Sequence, residues 1–253
     1  MLTFISCAKT MATRCTMRVP ELTLPAFMDE ALRSALELSH YTASELESLL
    51  QVNAKIAAEN CLRYRDFCSE HNRPMPALCA YTGAVFKRIH PADFTAEDYG
   101  FAQRHLRITS FLYGLLRPLD GIKPYRLEGN VCLPGNGGES MFDYWKPLLT
   151  EHFIREIKEQ GGILVNLASG EMKDLFDWEK VEQEVKVVTP DFRMWKGGQL
   201  KTVVIYAKMC RGEMVRYIIR NRIDTPEELK AFAWEGFSFD ESHSSGGRLQ
   251  FVL

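Results

Sequence analysis

The run FDYWKPLLTEHFIREIKEQGGILVN, residues 142–166, changes character part-way. From Phe142 to Gln160 the apolar residues return at helical spacing. Gly161 and Gly162 then stop the helix and deliver the chain into Ile163–Asn166, a short apolar strand. A helix that passes straight into a buried type of strand belongs to a mixed α/β or α+β protein.

Working outward toward the N-terminus, Leu2 to Ile5 is another short apolar run, bounded by Ser6, and reads as a buried first strand. A polar segment with Pro20 and Pro25 follows, and Ala26 to Ser39 has helical spacing. Thr42 and Glu45 form a capping-box pattern, and Asn53 is placed to cap a third helix ending near Cys68. After Pro74 and Pro76, Ala77 to Tyr81 reads as a strand that turns at Gly83. Thr95 and Asp98 signal another helix start, and Ile108 to Leu116 is apolar around Gly114. Pro118, Gly121 and Pro124 make a turn-rich connection.

Toward the C-terminus, Glu184 to Val188 alternates as a strand does. Lys196, Gly197 and Gly198 predict a hairpin turn, with Leu200 to Met209 as the returning strand. Gly212 to Ile223 predicts a helix, and Thr225, Pro226 and Glu228 open a short one. Phe237–Phe239 and Leu249–Val252 suit a sheet edge. The glycine-rich segment 129–140 reads as a surface loop, since its glycines do not follow a strand and open a helix as a phosphate loop requires. The expectation is one compact domain over 1–253, with a central mixed sheet flanked by helices.

Composition narrows the functional classes. Of 253 residues, 46% are apolar and 25% charged, which is ordinary for a globular chain. The opening MLTFISCAKT is too short in its apolar part for a signal peptide, and no run approaches a membrane span. Seven irregularly spaced cysteines suit reduced thiols in the cytosol better than a disulfide framework, so a cytoplasmic location is expected. No histidine pair has metal-ligand spacing, so neither a metal nor another cofactor is expected.

The net charge is −2, yet the cations are concentrated. Residues 104–126 hold Arg104, Arg107, Arg117, Lys123 and Arg126 against Asp120 alone. Residues 201–222 hold Lys201, Lys208, Arg211, Arg216, Arg220 and Arg222 against Glu213 alone. Arg216 and Arg220 fall four apart on one helix face, while Lys208 and Arg211 sit where the expected strand meets the expected helix. Arginine matches phosphate with a planar pair of donors, and a strand-to-helix junction offers free backbone N–H groups. The competing reading of these segments is solvated faces and internal ion pairs.

Several short motifs mostly follow the expected strands: Ser6-Cys7-Ala8-Lys9-Thr10, LYGLLRPLD at 112–120, PYRLE at 124–128, NLAS at 166–169, and YAK at 206–208 with Arg211-Gly212 behind it. Strand ends in α/β proteins commonly receive ligands. In this order, with Arg216-Tyr217-Ile218-Ile219, Asn221-Arg222 and Glu235-Gly236-Phe237, the motifs resemble the YaaA family of peroxide-stress-resistance proteins over essentially the whole chain. Three positions depart from the family pattern. Cys7 replaces a proline, Gly129 stands where methionine is common, and Met172 follows Glu171 where a tyrosine or similar residue is common.

The resemblance implies a cytosolic protein that protects against peroxide and iron-linked DNA damage. It also implies a family-specific α/β fold with a positively charged cleft, DNA binding, and a helix-hairpin-helix element. The helix from Ala96 and the turn at Tyr113-Gly114-Leu115 are the expected place for that element. Lys9, Arg107, Arg117, Arg126, Lys208, Arg211, Arg216 and Arg220 are the candidate phosphate contacts. Glu128 and Glu171 are candidate acids or bases, should the cleft carry out chemistry. The expected partner is double-stranded DNA or another phosphate-bearing ligand. An enzyme acting on a nucleotide, nucleobase or phosphorylated small molecule is the alternative, with Lys9, Arg126, Glu128, Ser169, Glu171 and Lys208 lining a closed pocket. Thiol sensing at Cys7, activated by nearby Lys9, is a third reading.

Overall fold

The computed structural model describes all 253 residues. Leu2–Ile5 is wholly buried and lies in the interior of a nine-stranded sheet. It pairs in parallel with Leu106–Ser110 on one side and with Ile163–Asn166 on the other. Lys186–Lys196 extends the sheet in parallel beyond Ile163–Asn166, and Arg248–Val252 extends it once more. The outer strands are antiparallel: Gly114–Leu116 at one edge, Phe237–Phe239 and Ala233–Trp234 at the other, with Gln199–Lys201 hairpinned onto Lys186–Lys196. The chain thus adds strands to both sides of Leu2–Ile5. That reversal of direction opens a crevice at the carboxyl ends of the parallel strands.

The helices follow local signals. Ala43–Leu50 and Ala96–His105 each start in a complete capping box, at Thr42 with Glu45 and at Thr95 with Asp98. The Asn53 side chain accepts from the Ile56 N–H and opens Ala54–Arg65. Met141–Glu159 packs Trp145, Leu149, Phe153 and Ile157 into the core and ends before Gly161, Gly162 and the strand Ile163–Asn166. No helix is long and apolar enough to cross a membrane.

Three elements differ from expectation. Ala77–Ala80 is a short buried helix, and only Tyr81–Thr82 is extended. A brief apolar run that is buried on every side carries no period to distinguish the two. The expected returning strand at Leu200–Met209 stops at Lys201, and the helix begins at Val204 and runs to Asn221. The β-branched Val203, Val204 and Ile205 favour extension, yet Val204 and Ile205 are exposed while Ala207, Cys210 and Met214 dock inward. Finally, the chain around Gly114 is a hairpin within the main sheet, not a helical one. Tyr113 is fully buried, and a Cβ on Gly114 would lie 2.8 Å from the Trp145 ring, so nothing there faces a phosphate.

Candidate functional site

Three adjacent parallel strands end at one cleft of about 360 Å3. Leu2–Ile5 continues into Ser6, Cys7, Ala8 and Lys9, Ile163–Asn166 into Leu167, Ser169, Glu171 and Met172, and Leu106–Ser110 into Phe111. The segment Tyr125–Asn130 forms one wall and Thr82–Phe86 another. The helix Val204–Asn221 supplies Lys208 and Arg211. These two residues lie inside the helix, so their own N–H groups are engaged and their side chains alone face the cleft. Gly212 explains how close that helix comes. A Cβ there would sit 2.3 Å from the Val85 carbonyl oxygen and 2.7 Å from Arg88 Cβ.

Four cations line the cleft, against two carboxylates. Glu128 serves two of the cations, with Lys9 Nζ 3.1 Å from Oε2 and Arg126 Nη2 2.6 Å from Oε1. Arg126 is held further by donating from Nη1 to the Lys9 carbonyl, while Tyr64 donates to the Arg126 carbonyl. The Arg126–Glu128 contact is close but poorly aligned, because neither Arg126 Nε nor Glu128 Oε1 completes a hydrogen bond. Arg211 has no such partner. Its Nε is buried without a hydrogen bond, and burial lowers its pKa, only partly opposed by the more distant charge of Asp191. Lys208 is exposed at the rim and pairs with no carboxylate. On the far wall the Ser6 and Ser169 hydroxyls lie 3.0 Å apart, the Ser169 N–H donates to Ser6 Oγ, and Ser169 Oγ donates to Glu171.

The remaining candidate cations are held elsewhere. Arg107 is buried and donates from Nε and Nη2 to both oxygens of Glu156. Arg117 is clamped to Asp120 and donates to the Leu24 carbonyl. Arg216 grips Asp93 through two nitrogens, and Arg220 shares Asp98 with Arg222. The hydrogen bonds from Arg216 hold Asp93 at about 2; at Asp98 burial is outweighed by the Thr95 N–H and then by Arg222 and Arg220, which hold it at about 2 as well. None of the four arginines lines the cleft, so the cationic helix face expected at Arg216 and Arg220 is a seam, Arg216 to the turn Pro91–Asp93 and Arg220 to Asp98 of the helix Ala96–His105. Cys7 does line the cleft, but burial and nearby Glu128 and Glu171 push its thiol up to about 12, an effect that Thr109 beside it only partly offsets. That is the opposite of activation by Lys9.

A model of the family described as peroxide stress protein YaaA matches residues 1–243. This chain belongs to the YaaA family. It is 64% identical to a UPF0246 protein of Phocaeicola vulgatus, across 100% of this chain and 99% of that one. It is 58% identical to a UPF0246 protein of Bacteroides thetaiotaomicron, across 100% and 98%, and 44% identical to one of Porphyromonas gingivalis, across the whole of both. Membership of the YaaA family supports a role in peroxide stress.

Two departures from the YaaA pattern now have a structural account. Cys7 has the N–H that proline lacks, and it donates to Thr109 Oγ1 at 3.0 Å. Thr109 in turn donates to Met172 Sδ, a second unusual cleft residue. At Gly129 a Cβ would sit 2.2 Å from the Phe142 ring. Phe142 therefore occupies the space that a side chain at 129 would need. Sequence reading missed Phe142 as a wall of the site, and its only signal was the glycine where methionine is common.

Proposed function

We propose that this protein binds phosphate-bearing nucleic acid in the cleft at the strand ends, and that this binding serves its part in peroxide stress. One contrast supports the reading. Arg107, Arg117, Arg216 and Arg220 are all neutralised by carboxylates, whereas Lys208 and Arg211 converge on the cleft unpaired. An uncompensated guanidinium is costly in the free protein and is well matched to a phosphate oxygen pair.

The helices Ala43–Leu50 and Ala54–Arg65 suit the helix-hairpin-helix element that the family resemblance implies. They are joined by a tight turn with Gln51 in the left-handed region. Leu49, Leu50 and Gln51 share a hollow with Lys9, Arg126 and Glu128, next to the cleft. A backbone turn so placed would grip one phosphate while the cleft cations take the next.

Fluorescence anisotropy with a labelled DNA duplex tests this reading. Affinity should fall steeply as salt rises, because each phosphate contact releases counterion. The double variant Lys208→Glu, Arg211→Glu should lose retention, and unchanged affinity would remove the cleft from the account. Arg216→Glu is unsuitable as a probe, since it would break the Asp93 seam.

The cleft volume favours a second reading, an enzyme acting on a nucleotide or phosphorylated small molecule. Lys9, Arg126, Glu128, Ser169, Glu171 and Lys208 all line the one cavity. A nucleotide that raises the melting temperature by several degrees where DNA does not would favour that reading.

A further inference from the structure

The dimensions and walls of the cleft restrict what part of a nucleic acid can enter. Its volume of about 360 Å3 lies at the small end of the ~300–1,000 Å3 typical of small-molecule pockets. A duplex whose major groove alone is roughly 12 Å wide cannot enter such a space, and one nucleotide can. Beneath the cations the walls are apolar and aromatic, with Phe86, Phe111, Leu127, Phe142 and Met172. Phe142 is only half-buried, and Phe111 fixes it edge-to-face at 5.2 Å and 86°. Gly129 packs directly against that ring, where a Cβ would sit 2.2 Å from Phe142 and 2.8 Å from Phe111, so the residue at 129 adds no side chain to the cleft beside them. The Tyr125 hydroxyl is engaged with those of Tyr81 and Ser110, at 2.7 and 2.6 Å, which leaves its ring as a further apolar surface.

We propose that the cleft receives a single nucleotide turned out of the helical stack, its base against Phe142 and Phe111 and its phosphate between Lys208 and Arg211. The inference rests on the phosphate-binding reading above and adds the base as a second point of recognition. Aromatic faces accept any base, so the recognised feature is an unpaired nucleotide and not a sequence. Turning a nucleotide out costs least where it has no pairing partner, so unpaired sites should be preferred over intact duplex.

The full-length protein is titrated at one salt concentration with three labelled duplexes. One is fully paired, one carries a single unpaired 2-aminopurine, and one carries an abasic analogue at the same bulge. The unpaired 2-aminopurine duplex should bind about tenfold tighter than the paired one, and the abasic duplex should lose most of that gain. The 2-aminopurine fluorescence should change on binding, as stacking on a protein ring replaces its free environment. Phe142→Ala should abolish the preference while the salt dependence persists. Equal affinity for all three duplexes, with steep salt dependence, would overturn the nucleotide inference and leave the phosphate reading standing. No binding to any of them would overturn both.

Discussion

Arg211→Met separates a binding residue from a structural one, because the two roles predict opposite signs. In the free protein Arg211 Nε is buried without a partner and the guanidinium pairs with no carboxylate. An unsatisfied buried polar group costs about 1–3 kcal/mol. Methionine keeps most of the stem and removes that cost, so recovery of roughly 1–2 kcal/mol is expected. For a chain of this size that is a rise in melting temperature on the order of 2–8 °C. DNA affinity should move the other way. Loss of a charge-assisted contact worth about 1.5–3 kcal/mol weakens binding roughly ten- to a hundredfold. The slope of log affinity against log salt should shrink by about 1. Calorimetry and anisotropy on the same preparation read both quantities. A variant that melts earlier and binds DNA as before would refute the reasoning and make Arg211 a structural residue.

Other expectations follow from particular contacts. Burial alone would raise the Glu156 carboxyl, but hydrogen bonds from His152 and Arg107 outweigh it and hold the group at about 2 instead of its ordinary 4.5. A depressed carboxylate contributes stability above its unfolded value that is lost as pH falls through the folded one. The stability gap between wild type and Glu156→Gln should therefore be constant above pH 4.5 and close toward pH 2; a gap unchanged across that window would refute the assignment. Gly212→Ala places a methyl against the Val85 carbonyl, which is backbone and cannot step aside. A loss of about 1–3 kcal/mol in denaturant unfolding is expected, and neutrality would mean that the helix Val204–Asn221 is not held this close to Val85. After mild peroxide treatment, mass spectrometry should find the exposed Cys68 and Cys132 modified ahead of Cys7, whose thiol is held protonated by burial. Early oxidation of Cys7 would reinstate it as a sensor.

What could be read from the sequence was local. Capping residues such as Thr42, Asn53 and Thr95, and the Gly197-Gly198 turn, act through neighbours two to four residues away, so their outcome is visible in the string. The strand-end motifs were legible for the same reason, and the structure brings Lys9, Arg126, Glu128, Glu171, Lys208 and Arg211 around one cavity. Pairing across the fold was not legible. Arg107 meets Glu156 and Arg216 meets Asp93 over distances in sequence that no charge window spans. A count of cations along the chain therefore overstated the charge available to a ligand. The early start of the helix at Val204 was hidden because β-branched residues on its exposed first turn resemble a strand.

The interior position of Leu2–Ile5 has a consequence for biosynthesis. Its hydrogen-bonding partners are Leu106–Ser110 and Ile163–Asn166. At translation rates of ~5–20 residues per second, the second partner leaves the ribosome on the order of ten seconds or more after the first strand. Throughout that interval the apolar Leu2–Ile5 segment lacks both strands that flank it in the folded sheet, so the sheet cannot close around it until the middle third of the chain has been made.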